Sequence, residues 1–155
     1  MRKIGIDYGD RKIGLAISDE LCILASPLPT LKVNSLADAI TKIQRIIKTQ
    51  NITTVVIGLP LTRLGTETQQ SIQTRYFANA LKSTNGTKVE FWNELFTTQK
   101  AESFSKYSTK RYKKNIDSEV ARTILQEYLD AQKQPKINQF INPYISPYNK
   151  SLNSI

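Results

Sequence analysis

The sequence predicts an α/β fold, a mixed five-stranded sheet flanked by helices. Three observations lead there. Two short alternating runs at the N-terminus are joined by a turn too tight for a crossover connection. Further on, β-branched runs alternate with amphipathic stripes of helical period. The chain has 155 residues and no internal repeat, a length that suits one domain with one proper core.

Each element has its own signal. From Arg2 to Tyr8, Ile4 and Ile6 face one way while Lys3, Gly5 and Asp7 face the other, the period of a strand. Gly9-Asp10-Arg11 reads as a turn, and Ile13, Leu15 and Ile17 alternate through a second strand, Lys12 to Ser18, so the two make a hairpin. A third strand is expected around Cys22 to Ala25, before Pro27 and Pro29 interrupt. Ser35 is placed to cap a helix to about Gln50, with Leu36, Ala39, Ile40, Ile43, Ile46 and Ile47 on one stripe. Thr53 to Ile57 is a β-branched run of the kind buried in parallel sheets.

After a loop from Gly58 to Gly65, Thr66 with Gln69 carries a capping-box signature for a helix to about Lys82. Asn85-Gly86 reads as a turn and Lys88 to Trp92 as the last strand. Thr97 or Thr98 caps a short helix that fades near Phe104, and a polar, basic loop follows from Lys106 to Asn115. The last helix is expected from Asp117, its stripe being Val120, Ala121, Ile124, Leu125, Tyr128 and Leu129. The domain therefore spans residues 1–132, and residues 133–155, with three prolines and several asparagines, form an extended or partly disordered tail.

Composition narrows the chemistry. The chain has no histidine and one cysteine, Cys22, which excludes His-dependent mechanisms, an internal disulfide and a cysteine-based zinc site. Any metal must be held by oxygen, which points to Mg²⁺ or Mn²⁺. No apolar run approaches the roughly 20 residues that span a bilayer, so no membrane partner is expected. Met1-Arg2-Lys3 leads straight into a strand without a cleavage site, and a cytoplasmic location is expected. Twenty-two Lys and Arg against thirteen Asp and Glu leave a net charge of +9. That excess suits a polyanionic partner, but also a merely lysine-coated surface, and only the positions of the charges discriminate.

Three carboxylates stand where strands end or helices begin: Asp7 within the first strand, Glu94 after the last, and Asp117 at the start of the last helix. Neighbouring strand ends in an open α/β sheet form a crevice for ligands, so the three can converge. Converging carboxylates raise one another's pKa unless a cation joins them, and two divalent ions would serve that end at a phosphodiester. Glu94 and Asp117 also have ordinary readings, as a solvated residue and an N-cap. Asp7 has none as easy, since a carboxylate inside an apolar strand is costly unless paired or metal-bound.

Four segments, in order, resemble one family. They are Gly5-Ile6-Asp7-Tyr8-Gly9 with Arg11-Lys12-Ile13-Gly14-Leu15-Ala16-Ile17-Ser18-Asp19, then Ile57-Gly58-Leu59-Pro60 with Gly65 and Thr66. Asn93-Glu94-Leu95-Phe96-Thr97-Thr98 follows, and then Ile116-Asp117-Ser118 with Ala121, Ile124, Leu125 and Tyr128. Together they resemble the YqgF family, whose members are described as Holliday junction resolvases and as pre-16S rRNA nucleases. The resemblance covers residues 2 to about 131. It implies an RNase H-like fold, with Asp7, Glu94 and Asp117 as catalytic acids and metal ligands. Two positions depart from the family's Asp-Glu-Arg: Asn93 brings an oxygen without a charge, and Leu95 cannot hold a phosphate.

Just before Asp117, Lys106, Lys110, Arg111, Lys113 and Lys114 are interleaved with Tyr107 and Tyr112. Cations grip a backbone while tyrosines stack on unpaired bases, so this run is expected to bind nucleic acid, as is Arg11 in the first hairpin. The leading expectation is a metal-dependent nuclease acting on structured nucleic acid, either pre-rRNA or branched DNA, with the 5′ end of pre-16S rRNA the best guess from the family. A Holliday junction resolvase uses the same chemistry but calls for two active sites. A binding module with a weakened site is motivated by Asn93 and Leu95. A sugar kinase or actin-like ATPase also opens on Ile-Gly-Ile-Asp-x-Gly, but needs two such domains around a cleft.

Overall fold

β1 (Arg2–Asp7) and β2 (Lys12–Ser18) pair antiparallel as a hairpin, with Ile4 opposite Ile17 and Asp7 opposite Gly14. The computed structural model from which this is read describes residues 1–85, 87–93 and 116–133. β3 (Ala25–Lys32) pairs antiparallel with β2 at one edge. α1 (Leu36–Thr49) crosses to β4 (Ile52–Leu59), which lies parallel to β1, and α2 (Gln69–Asn85) crosses to β5 (Lys88–Asn93), parallel to β4. α3 (Ile116–Lys133) follows. The sheet order β3-β2-β1-β4-β5 puts β1 in the middle, as the mixed five-stranded expectation requires.

The sheet is covered on both faces because its strands alternate. Ile4, Ile6, Ile13, Leu15, Val55 and Ile57 meet Ala39, Ile43 and Ile47 of α1 and Phe77, Ala78 and Leu81 of α2 in one core. Ala16, Val56 and Trp92 meet Ala121, Ile124, Leu125, Tyr128 and Leu129 of α3 in the other. Each fully buried Ile or Leu contributes about 1.5–3 kcal/mol by leaving water, so these two clusters carry most of the favourable burial. Tyr128 stands edge-on to Trp92 at 5.9 Å, and the Lys3 ammonium sits 4.9 Å above its ring. Burial and the neighbouring Glu90 carboxyl both push the Tyr128 phenol above its ordinary range.

The structure corrects three local expectations. β3 begins at Ala25, where the strand expected from Cys22 should end, and runs through Pro27 and Pro29 to Lys32. It is an edge strand with one unpaired backbone side, where a residue without an N–H is tolerated, and both prolines are exposed. The α2 cap is Thr68, not Thr66: the Ser71 N–H donates to Thr68 Oγ1 at 3.0 Å and the Thr68 N–H donates to Ser71 Oγ at 2.7 Å. Thr66 instead closes the preceding loop, where Thr62 Oγ1 and Thr66 Oγ1 lie 2.5 Å apart. Leu36, placed on the α1 stripe, is exposed at the first position of the helix, and the buried stripe begins at Ala39. The Ser35 cap stands as expected, its Oγ accepting from the Asp38 N–H at 3.1 Å. The short helix expected near Thr97 to Phe104, the basic loop and the tail after Lys133 lie outside the described residues.

Candidate active site

Asp7 is the last residue of the central strand and Asp117 the second residue of α3. Three close approaches bring them together. Gly5 packs under α3, where an added Cβ would stand 2.7 Å from the Ala121 carbonyl oxygen and from Leu125 Cβ. Gly14, the partner of Asp7 across the hairpin, lies against the start of the helix: a Cβ there would fall 2.0 Å from the Asp117 carbonyl oxygen. Ser118 Oγ, buried beside it, is 3.1 Å from Thr30 Oγ1 on β3. Gly14 also sits where the β2–β3 register shifts.

The two carboxyls feel each other. Burial, and then the charge of Asp117, push the Asp7 carboxyl from its ordinary 3.8 up to about 7. Among the described residues no group of three or more metal-binding acids, cysteines or histidines is assembled. Glu94, the third expected acid, lies outside the described residues, directly after Asn93 at the end of β5. The pairing Ile6–Ile57–Phe91 shows that β1, β4 and β5 run parallel and end on one side of the sheet.

Arg11 is exposed in the β1–β2 turn at that same end, its carbonyl accepting from the Val33 N–H at 3.0 Å. Lys106, Lys110, Arg111, Lys113 and Lys114 lie outside the described residues. Gly5 and Gly14, which the family motifs contain but to which sequence reasoning assigned no role, let α3 lie on the hairpin, and Ser118 ties the start of α3 to β3. A glycine inside a strand pattern, as at Gly5 and Gly14, is the available signal of such an approach.

Residues 1–131 match the sequence model of the family described as "RuvX: Holliday junction resolvase". A relative from Chloroflexus aggregans named "Putative pre-16S rRNA nuclease" is 36 % identical over 135 residues, 85 % of this chain and 95 % of that one. One of the same name from Syntrophus aciditrophicus is 37 % identical over 140 residues, 88 % of this chain and 93 % of that one. Among solved structures, T. thermophilus RuvC in complex with Holliday junction substrate aligns with a TM-score of 0.57 at 13 % identity, over 86 % of this chain and 96 % of that one. Fowlpox virus resolvase in complex with junction DNA aligns with a TM-score of 0.55 at 16 % identity, over 85 % and 99 %. At those identities the likeness concerns the fold, which is RNase H-like. The order of strands and these matches lead to one conclusion: the chain belongs to the RuvX family of Holliday junction resolvases, a family of nucleases, as its four motifs implied.

Proposed function

We propose that this chain hydrolyses phosphodiester bonds in structured nucleic acid, at the 5′ end of pre-16S rRNA, with Asp7, Glu94 and Asp117 holding Mg²⁺ or Mn²⁺. The observation that carries it is the pair Asp7–Asp117, two carboxylates brought together at the end of the central strand with one of them raised to about 7. That arrangement is unfavourable for the bare protein and fits a cation with hard oxygen ligands. No histidine is present to compete, and Cys22 lies in the turn after β2, at the opposite end of the sheet. In sequence Glu94 directly follows Asn93, the last residue of β5, which runs in the same direction as β4 and β1. When bound, a divalent cation supplies charge for the leaving oxygen and lowers the pKa of the attacking water.

The protein's own contribution is placement. Gly14 lets the backbone of Asp117 lie directly against the hairpin, and the pairing of β1 with β2 and β4 holds the backbone of Asp7. Arg11 and the basic run Lys106 to Lys114 are proposed to hold the substrate backbone. The names of the relatives support pre-16S rRNA as the substrate, and a cytoplasmic location and a nuclease domain over residues 1–132 belong to the same proposal. Purified protein with Mg²⁺ or Mn²⁺, offered precursor rRNA and junction DNA side by side, tests the reading. Cleavage of the rRNA is expected. Cleavage of the junction alone, by a dimer, would favour the resolvase that the family description names, and binding without metal-dependent cleavage would leave a module with a weakened site.

A second expectation separates binding from chemistry. Replacing Lys110, Arg111, Lys113 and Lys114 by alanine should weaken binding and flatten its salt dependence by roughly one slope unit per lost phosphate contact. At saturating substrate the cleavage rate should stay near that of the unmodified protein. A filter-binding salt titration with an unchanged slope would remove the run from the interface.

A further inference from the structure

At the end of the sheet opposite Asp7, the turn after β2 holds apolar side chains in water. Leu21 is 77 % exposed, Ile23 43 % and Leu24 63 %, and Met1 beside them is 83 % exposed. The turn is not free to fold them away. The Asp19 N–H donates to the Leu24 carbonyl at 3.0 Å and the Cys22 N–H to the Asp19 carbonyl at 3.1 Å, while Asp19 Oδ1 accepts from the Ile23 and Leu24 N–H groups at 2.6 and 3.1 Å. Those backbone bonds also hold the Asp19 carboxyl below its ordinary range. Cys22 lies in the left-handed region, φ 55°. Single exposed leucines need no explanation, but a contiguous group on a rigid turn marks a contact surface.

The end of α3 sits on this same turn. The Gln126 Nε2 amide donates to the Ile23 carbonyl at 3.0 Å, the Ala25 N–H donates to Gln126 Oε1 at 2.9 Å, and the Lys133 ammonium donates to the Ile23 carbonyl at 3.3 Å. Residues 134–155 therefore begin beside the patch. They extend past residues 1–131, which the family model matches, so the family's fold does not account for them. Their composition suits the surface: Ile137, Phe140, Ile141, Tyr144 and Ile145 recur among polar residues, and Lys136 and Lys150 are unaccompanied by any Asp or Glu. The patch is bordered by Asp19, Glu20 and Asp130. A tethered segment needs little affinity of its own, because its effective concentration is of the order of millimolar.

We propose that the segment from Lys136 to Ile145 docks on the apolar turn formed by Leu21, Ile23, Leu24 and Met1. The dock closes the exposed end of α3 and the sheet, remote from the acids. Two full-length variants test it, Leu21→Ser with Leu24→Ser in the turn and Ile137→Ser with Phe140→Ser in the segment. Trypsin cleavage after Lys136 in the native protein should be slower than in either variant, by about tenfold for a modest tethered contact. Both variants should also expose Cys22 to a thiol reagent more readily, and cleavage of nucleic acid should be unchanged. Equal proteolysis and equal thiol reactivity in all three proteins would overturn the proposal. So would protection that disappears on dilution, which would assign the patch to a second copy of the chain.

Discussion

Replacing Asp7 by asparagine is expected to abolish metal-dependent cleavage, by at least about a thousandfold in kcat, while leaving nucleic-acid binding largely intact. The same change should stabilise the metal-free protein at neutral pH and above. The Asp7 carboxyl titrates near 7 in the folded state against an ordinary 3.8, so between those values the folded protein keeps a proton that the unfolded chain has released. Stability from this group is fully present below the unfolded value and is lost as pH rises through the folded one. The slope is about 1.4 kcal/mol per pH unit, which bounds the total near 4 kcal/mol, and the partial exposure of the side chain makes the real effect smaller. Asparagine carries no such charge. Urea unfolding in EDTA from about pH 5 to about pH 8 should show the native protein losing stability while Asp7→Asn stays flat in this respect. Mg²⁺ or Mn²⁺ should restore the native protein more than the variant, since binding to the folded state stabilises it. Parallel stability curves would mean that Asp7 is solvated as an ordinary carboxylate, and the proposed site would lose its main support.

Gly14→Ala should be the most damaging of the small substitutions. Its Cβ would stand 2.0 Å from the carbonyl oxygen of Asp117 and 2.3 Å from the carbonyl carbon, both backbone atoms that cannot rotate aside. Either α3 lifts at its first turn or β2 bends, and a loss of about 3 kcal/mol or more is expected, at the upper end of overpacking costs. Gly5→Ala gives the comparison. It meets the Ala121 carbonyl and Leu125 Cβ at 2.7 Å, so it too should destabilise, but two residues further from the strand end. Assayed below their unfolding temperatures, Gly14→Ala should lose cleavage beyond what its folded fraction explains, and Gly5→Ala should lose much less. Native-like stability and cleavage in Gly14→Ala would show that the start of α3 adapts freely, and that the spacing of Asp7 and Asp117 is not set by this contact.

By itself the sequence determined what depends on neighbours along the chain. The alternation through Arg2–Asp7 and Lys12–Ser18, the Ser35 cap, the α1 stripe and the β-branched run of β4 are local signals, and the structure follows them. Asp7 stood out for the same reason, as a charge in an apolar strand. The tertiary structure decided what depends on distant partners. The capping-box pattern singles out Thr66 with Gln69, yet the cap is Thr68. Thr68 takes the role because its hydroxyl also donates to the Pro60 carbonyl at 2.8 Å, while Thr66 is engaged by Thr62. Pro27 and Pro29 can sit in β3 only because that strand falls at the edge, and strand order is a property of the whole sheet. The approach of Asp117 to Asp7 is the clearest case. Their sequence separation carries no distance. The distance follows from two missing side chains, at Gly5 and Gly14, which let a helix backbone lie directly on the hairpin and force two like charges into one another's field.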